Sequence, residues 1–200
     1  MISQLQFEKV TDHGSNCLPG HTKFMDNELS IGEMCEHEED GKEYNRRVFS
    51  YGPKRDAIKA NEILEVVSTG IGEVLEVKIK LRRSRDEESG KITPDYVKLQ
   101  ATVSQRFPVT EKNRPYLLRP PVYSTSNERL DTFASGDIIY VVLSPHADDL
   151  PFGTVGCNGH VEDISSVGTM LTFDISVEEK PNNVVTRNGI VTAAQGSPNS

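Results

Sequence analysis

The sequence predicts a mainly β protein, a barrel or sandwich of antiparallel hairpins with one short helix at about 57–67. Three observations carry that prediction. Residues 76–82 alternate apolar and charged side chains with period two, residues 97–106 repeat the alternation after a turn-rich segment, and residues 137–143 form a continuous β-rich apolar run. The sequence has no heptad pattern and no internal repeat, which excludes coiled coils, solenoids and propellers.

The helix is placed by Asp56 as a potential N-cap and Gly70 beyond its end. Val66-Val67 cuts against it, because β-branched residues equally suit a strand running on to Ile71 and Val74. Next, Val77, Ile79 and Leu81 alternate with Glu76, Lys78, Lys80 and Arg82. Val97, Leu99, Ala101 and Val103 alternate with Lys98, Gln100, Thr102 and Ser104, so the two runs pair as a hairpin with a single apolar face. Prolines at 108, 115, 120 and 121 make 108–136 a long connection or a sub-boundary.

Ile138 to Leu143 then reads as a strand buried on both faces. A second hairpin is expected from 160–164 and 169–177 about a turn at 165–168, with Leu171, Phe173, Ile175 and Val177 facing inward. These elements give a single β-rich domain over 1–180. Residues 181–200 leave two readings open, a flexible or partner-ordered tail and a tight hairpin turning at Asn188-Gly189.

The chain has 200 residues and a net charge of −8, which argues against coating nucleic acid non-specifically. The charge is segregated. Residues 1–40 carry −7, residues 41–119 carry +6 and residues 120–200 carry −7. Opposed blocks of this kind predict self-association or docking to another protein. Three cysteines at 17, 35 and 157, with no CxxC spacing, predict reduced thiols. No signal peptide opens the sequence and no run approaches a membrane span, so the expected location is cytoplasmic or virion-associated, with no membrane contact.

Two motifs point towards metal chemistry. His13, Cys17, His21, Cys35 and His37 fall within 25 residues and supply the nitrogen and sulfur donors of tetrahedral zinc, with Cys17, His21, Cys35 and His37 sufficient for four ligands. The bland alternative is a solvated loop, since Glu36, Glu38, Glu39 and Asp40 crowd the same segment. The second motif is Ser144-Pro145-His146-Ala147-Asp148-Asp149, directly after the apolar strand. It resembles the zinc-dependent de-N-acetylases of the sugar-amine type. That resemblance implies His146 and Asp149 as zinc ligands and Asp148 as general base on a metal-bound water. In that family the motif opens a long α/β domain, whereas here 51 residues follow Asp149. A plain turn, with both aspartates bonded to local backbone, is the alternative.

Nucleotide cofactors are not expected. Gly70-Ile71-Gly72 lacks the rest of a dinucleotide fingerprint, no phosphate-binding loop is present, and no G-x-S-x-G elbow presents a serine. The 76–107 hairpin places Lys78, Lys80, Arg82, Lys98 and Arg106 on one outer face, with Arg83 at its tip, a ribbon able to track phosphates. Single-strand binding would also need stacking aromatics, and only Tyr96 lies near that face.

With no decisive catalytic signature, the expectation is a non-catalytic binding or assembly protein, of the kind a virus or phage uses as a structural or accessory subunit, acting through protein contacts. The alternatives are a zinc-dependent hydrolase or zinc-stabilised protein, and a nucleic-acid binder using the basic hairpin.

Overall fold

The structure is a computed structural model that describes residues 17–52, 57–81, 96–111, 114–119, 138–143, 155–180 and 182–196. Two long strands dominate it: β3 (Ala57–Leu81) and β8 (Val155–Val177), paired antiparallel from Ile63↔Val177 to Leu81↔Gly159. Strands of 25 and 23 residues would span roughly 80 Å if straight, at about 3.3 Å per residue. Four register shifts, at Ile63/Glu65, Ser68/Gly70, Val74/Leu75 and Lys78/Ile79, instead bend and coil the ribbon. The burial pattern changes parity with them: Asn61 and Ile63 are buried, then Val66 and Val74, then Leu75, Val77, Ile79 and Leu81.

β1 (Leu18–Pro19) pairs antiparallel with β8, and α1 (Ile31–Glu39) follows it. β2 (Arg47–Gly52) pairs with the start of β3, and β4 (Tyr96–Thr102) with its end. β5 (Phe107–Glu111) pairs with β6 (Arg114–Arg119) and with β7 (Ile138–Leu143), which reaches β8. β9 (Asn183–Val185) and β10 (Val191–Ala193) form a separate hairpin, and β11 (Gln195–Gly196) runs parallel to β8. The large sheet runs β2-β3-β8-β7-β5-β6, with β1, β4 and β11 attached at its sides. The protein is therefore mainly β with one short helix. Among the described residues, no helix is long and apolar enough to cross a membrane.

The helix is not where the sequence placed it. Ala57 to Val67 is extended because β2 supplies a partner for every residue from Ala57 to Glu62 and β8 takes over from Ile63, so Ile58 enters the core from the first ladder and Ile63 and Val66 from the second. The real helix, 31–39, lies where a solvated loop was expected. Ser30 caps it, accepting from the Glu33 N–H at 3.4 Å while the Glu33 carboxylate accepts from the Ser30 N–H at 2.7 Å. Ile31, Met34 and Cys35 face inward at helical spacing.

The hairpin of 76–82 with 97–106 is present, in the register Val77↔Leu99 and Ile79↔Val97. Its inward face ends early: Val97, Leu99 and Ala101 are buried, but Val103 is exposed because the chain leaves the strand at Thr102. The second expected hairpin is instead one continuous strand. Residues 165–168 do not turn back, since Ser165 and Ser166 keep pairing with Glu76 and Leu75, and Gly168 absorbs the irregularity at φ 105°. Phe173, Ile175 and Val177 face the core as expected, whereas Leu171 is 52% exposed.

Of the two readings for the last twenty residues, the hairpin forms. Gly189 has φ 85° at its turn, and Val184, Val185, Ile190 and Val191 are fully buried. Asn183 locks β9 to β2 by receiving the Tyr51 N–H at 2.8 Å and donating to the Tyr51 carbonyl at 3.0 Å, as a ladder partner would.

Candidate functional site

β3 occupies one edge of β8 over residues 159–177, so β1 and β11 both lie on the opposite edge. β1 arrives antiparallel, with Leu18 beside Phe173, and β11 leaves parallel, with Gln195 beside Ser176. Continuing each register by one residue sets Cys17 abreast of Asp174 and Ala194 abreast of Ile175. The first described residue and the last described strand therefore meet on one strand edge, although 177 positions separate Cys17 from Ala194 in sequence.

Cys17 is buried and its carbonyl is held from β4: the Thr102 N–H donates to it at 3.2 Å and the Thr102 hydroxyl at 3.0 Å. Thr102 is itself fixed by the tight turn after β4, where the Gln105 N–H reaches the Thr102 carbonyl at 3.0 Å and the Ser104 hydroxyl lies 3.1 Å from that of Thr102. The same turn grips the C-terminal segment. Gln105, fully buried, donates its side-chain amide to the Thr192 hydroxyl and to the Ala193 carbonyl at 2.9 Å, and the Ala193 N–H returns to the Arg106 carbonyl at 2.9 Å. Among the described residues the side-chain oxygen of Gln105 has no hydrogen-bond partner, an orphaned acceptor inside the site.

Asp174 lies between the two ends and is 6% exposed. Burial pushes its carboxyl up to about 6, against hydrogen bonds from the Gln195 side chain and the Ile175 N–H that stabilise the carboxylate. A buried thiol, a clamped carbonyl, an orphaned amide oxygen and a carboxyl titrating near neutrality thus surround the junction of β1, β4, β8 and the C-terminal segment.

Of the four candidate zinc ligands, Cys17 belongs to this site. Cys35 lies on α1 with its thiol pushed up by burial and by Glu39, whose carboxylate is 3.8 Å from Sγ. His37 packs edge-on to Tyr44 with ring centroids 6.1 Å apart, its Nδ1 without a hydrogen-bond partner among the described residues, and His21 is exposed beyond β1. Among the described residues, no three His, Cys, Asp or Glu side chains gather as a metal site. His146, Asp148 and Asp149 lie outside the described residues.

Two lysines of the basic hairpin face are paired with acids. Lys78 pairs with Glu162 at 2.6 Å and lies over the Tyr96 ring at 4.2 Å, while Lys98 pairs with Glu76 of β3 at 2.6 Å. Glu162 comes from β8, a strand that a two-stranded reading could not anticipate. Lys80 is 6.0 Å from the same ring, Arg106 contributes its backbone to the site, and Arg82 and Arg83 lie outside the described residues.

Sequence reasoning missed Thr102, Gln105 and Asp174. Thr102 and Asp174 looked like ordinary outward residues of alternating strands, and only the packing of β1 and β11 on them buries that face. The sole early signal was Cys17, weighed there as a metal ligand.

No protein-family model and no curated protein matches the sequence. Solved structures do. A mutant of the Ssp DnaB mini-intein variant M86 superposes with a TM-score of 0.60 at 14% identity, covering 93% of this chain and 97% of that one. An intein from a hyperthermophile gives 0.59 at 15% identity, covering 88% and 98%. The transcription factor IIB Mvu mini-intein gives 0.60 at 14% identity, covering 89% and 99%. These likenesses overturn the expectation of a non-catalytic assembly or virion protein, together with its alternatives of a zinc hydrolase and a nucleic-acid binder. None of the three readings anticipated a scaffold that brings β1 and the C-terminal β11 to one edge of β8, and that scaffold, matched along nearly the whole length of each chain, is the intein fold.

Proposed function

We propose that this chain is a self-processing domain that rearranges the peptide bond preceding Cys17. The observation that carries the reading is the position of Cys17, a buried thiol at the head of β1, held by Thr102 and set on the same β8 edge as the departing C-terminal segment. It is supported by the similarity in fold to inteins, which are protein-splicing domains.

The chemistry follows from atom counting. Sγ of Cys17 attacks the carbonyl carbon of residue 16 through a five-membered ring formed by Sγ, Cβ, Cα, N and that carbon. The carbon–sulfur bond forms, the carbon–nitrogen bond breaks, and the thiol proton ends on the released amine. The net change is an isomerisation of amide to thioester, with neither water nor oxidant consumed. Thr102 acts as a positioning residue: by holding the Cys17 carbonyl it fixes the residue that carries the thiol against the end of β4.

The test is intact-mass measurement of the full chain with and without hydroxylamine, a nucleophile that captures thioesters. Release of the segment preceding Cys17, with loss of that release in Cys17→Ala, is the expected result. An uncleaved wild-type chain would overturn the reading.

A further inference from the structure

We infer that the concavity between the residues after β1, the middle of β4 and the β9–β10 turn is a binding site for a small phosphate-bearing anion. It is independent of the chemistry proposed for Cys17, since other residues form it and binding alone tests it.

The concavity measures about 400 Å³, within the range of small-molecule sites. Among the described residues its lining carries Lys23, Lys98 and Arg187 against one carboxylate, Glu76, in a chain whose net charge is −8. That carboxylate is matched by Lys98, which holds it at 2.6 Å. The charges of Lys23 and Arg187 remain in excess, and His21 adds an imidazole to the same wall. A hollow lined by one sign of charge focuses its field, and an oxyanion seated there offsets the repulsion between the cations. Lysine meets phosphate as a point charge and arginine as a two-pronged donor, so this set suits a phosphate better than a halide ion.

Tertiary structure brings these groups together from three distant parts of the chain and fixes the backbone beneath them. The Arg187 N–H donates to the Lys23 carbonyl at 2.9 Å, Phe24 bridges to Thr186, and the Asn188 side-chain amide donates to the Lys98 carbonyl. The Lys23 ammonium donates to the Glu28 carbonyl at 2.8 Å, which steadies a side chain that still has further N–H donors for a ligand. Each segment then runs into the site described above: His21 lies four residues after Cys17, Lys98 four before Thr102, and Arg187 five before Thr192. An anion bridging the three therefore ties together the same segments that converge at Cys17.

Calorimetric titration of the full chain with inorganic phosphate, at constant ionic strength in chloride, tests the site. Saturable binding of one phosphate per chain is expected. Arg187→Ala and Lys23→Met should each weaken it by about tenfold. Glu76→Gln, which removes the carboxylate from the lining, should tighten it by about threefold. Lys59→Met, at a lysine of β3 outside the concavity, should leave it unchanged. A wild-type chain with no saturable binding would overturn the inference. Equal weakening by Lys59→Met and Arg187→Ala would overturn it too, by reducing the effect to general charge attraction, and a Glu76→Gln chain that binds no tighter would move the anion away from this lining. Glycerol 3-phosphate in the same titration separates the two sources of the phosphate group: tighter binding than inorganic phosphate assigns a small phosphate ester, and equal or weaker binding assigns the free ion.

Discussion

The carbonyl of Cys17 accepts two hydrogen bonds from one residue, Thr102, through its backbone N–H at 3.2 Å and its hydroxyl at 3.0 Å. A single threonine at the end of β4 thereby ties down the residue that opens β1, across 85 positions of sequence. Such a double grip fixes both the height and the rotation of the peptide plane after Cys17, which a single bond would leave free to swing.

That geometry predicts the behaviour of Thr102→Val, which keeps the side-chain shape and the N–H but removes the hydroxyl. Loss of one buried hydrogen bond costs about 1 kcal/mol in stability. Hydroxylamine-induced release should slow by about tenfold if the bond chiefly organises the reacting state, since about 1.4 kcal/mol corresponds to that factor. An unchanged release rate with lowered stability would make the grip purely structural.

Asp174 sets a pH dependence whose sign is fixed by burial. Its folded carboxyl titrates at about 6, above its ordinary value of 3.8, so the folded state favours the protonated form. The contribution to stability is fully present below pH 3.8 and is lost as pH rises through about 6. Asp174→Asn should therefore unfold at higher denaturant than wild type at pH 7.5, by on the order of 1–3 kcal/mol, with the advantage vanishing near pH 3.5. Urea melts at the two pH values decide it, and an advantage of equal size at both would show that the carboxyl charge is not its source.

Asn183 replaces a strand partner with a side chain, exchanging two hydrogen bonds with Tyr51 while its carbonyl receives the Ser50 hydroxyl at 2.6 Å. Asn183→Ala leaves the buried N–H and carbonyl of Tyr51 without these bonds and should destabilise the protein by about 2–4 kcal/mol. Amide exchange in β2 and β9 should accelerate with it. Protection retained in both strands would contradict the role assigned to this side chain.

At the N-terminus of α1, Ser30→Ala removes half of the capping box and should cost about 1 kcal/mol. Ser30→Thr should recover most of that loss, because its hydroxyl can both accept the Glu33 N–H and donate to the Glu33 carboxylate as the serine does. Thermal melts of the two variants are sufficient, and equal losses would assign the cost to something other than the cap.

Reading the chain by itself determined the β character, the 76–82 with 97–106 hairpin and the 138–143 strand, and for the last segment it left a tail and an Asn-Gly hairpin both open. Each of these rests on a local signal: alternation along Val77, Ile79 and Leu81, a continuous apolar run, or Asn-Gly between β-branched pairs. The capping-box spacing of Ser30 and Glu33 was equally local and was passed over for the cysteine and histidine pattern around it. What the tertiary structure alone decided was every choice that depends on a distant partner. Ala57 to Val67 is a strand because β2 and then β8 pair with it, and 165–168 does not turn because β3 continues alongside. Cys17, Thr102, Gln105 and Asp174 become a site only when β1, β4, β8 and the C-terminal segment converge. Long-range pairing carries no periodic mark in the residues it joins, so the polar side chains buried by it look like surface positions until their partners are in place.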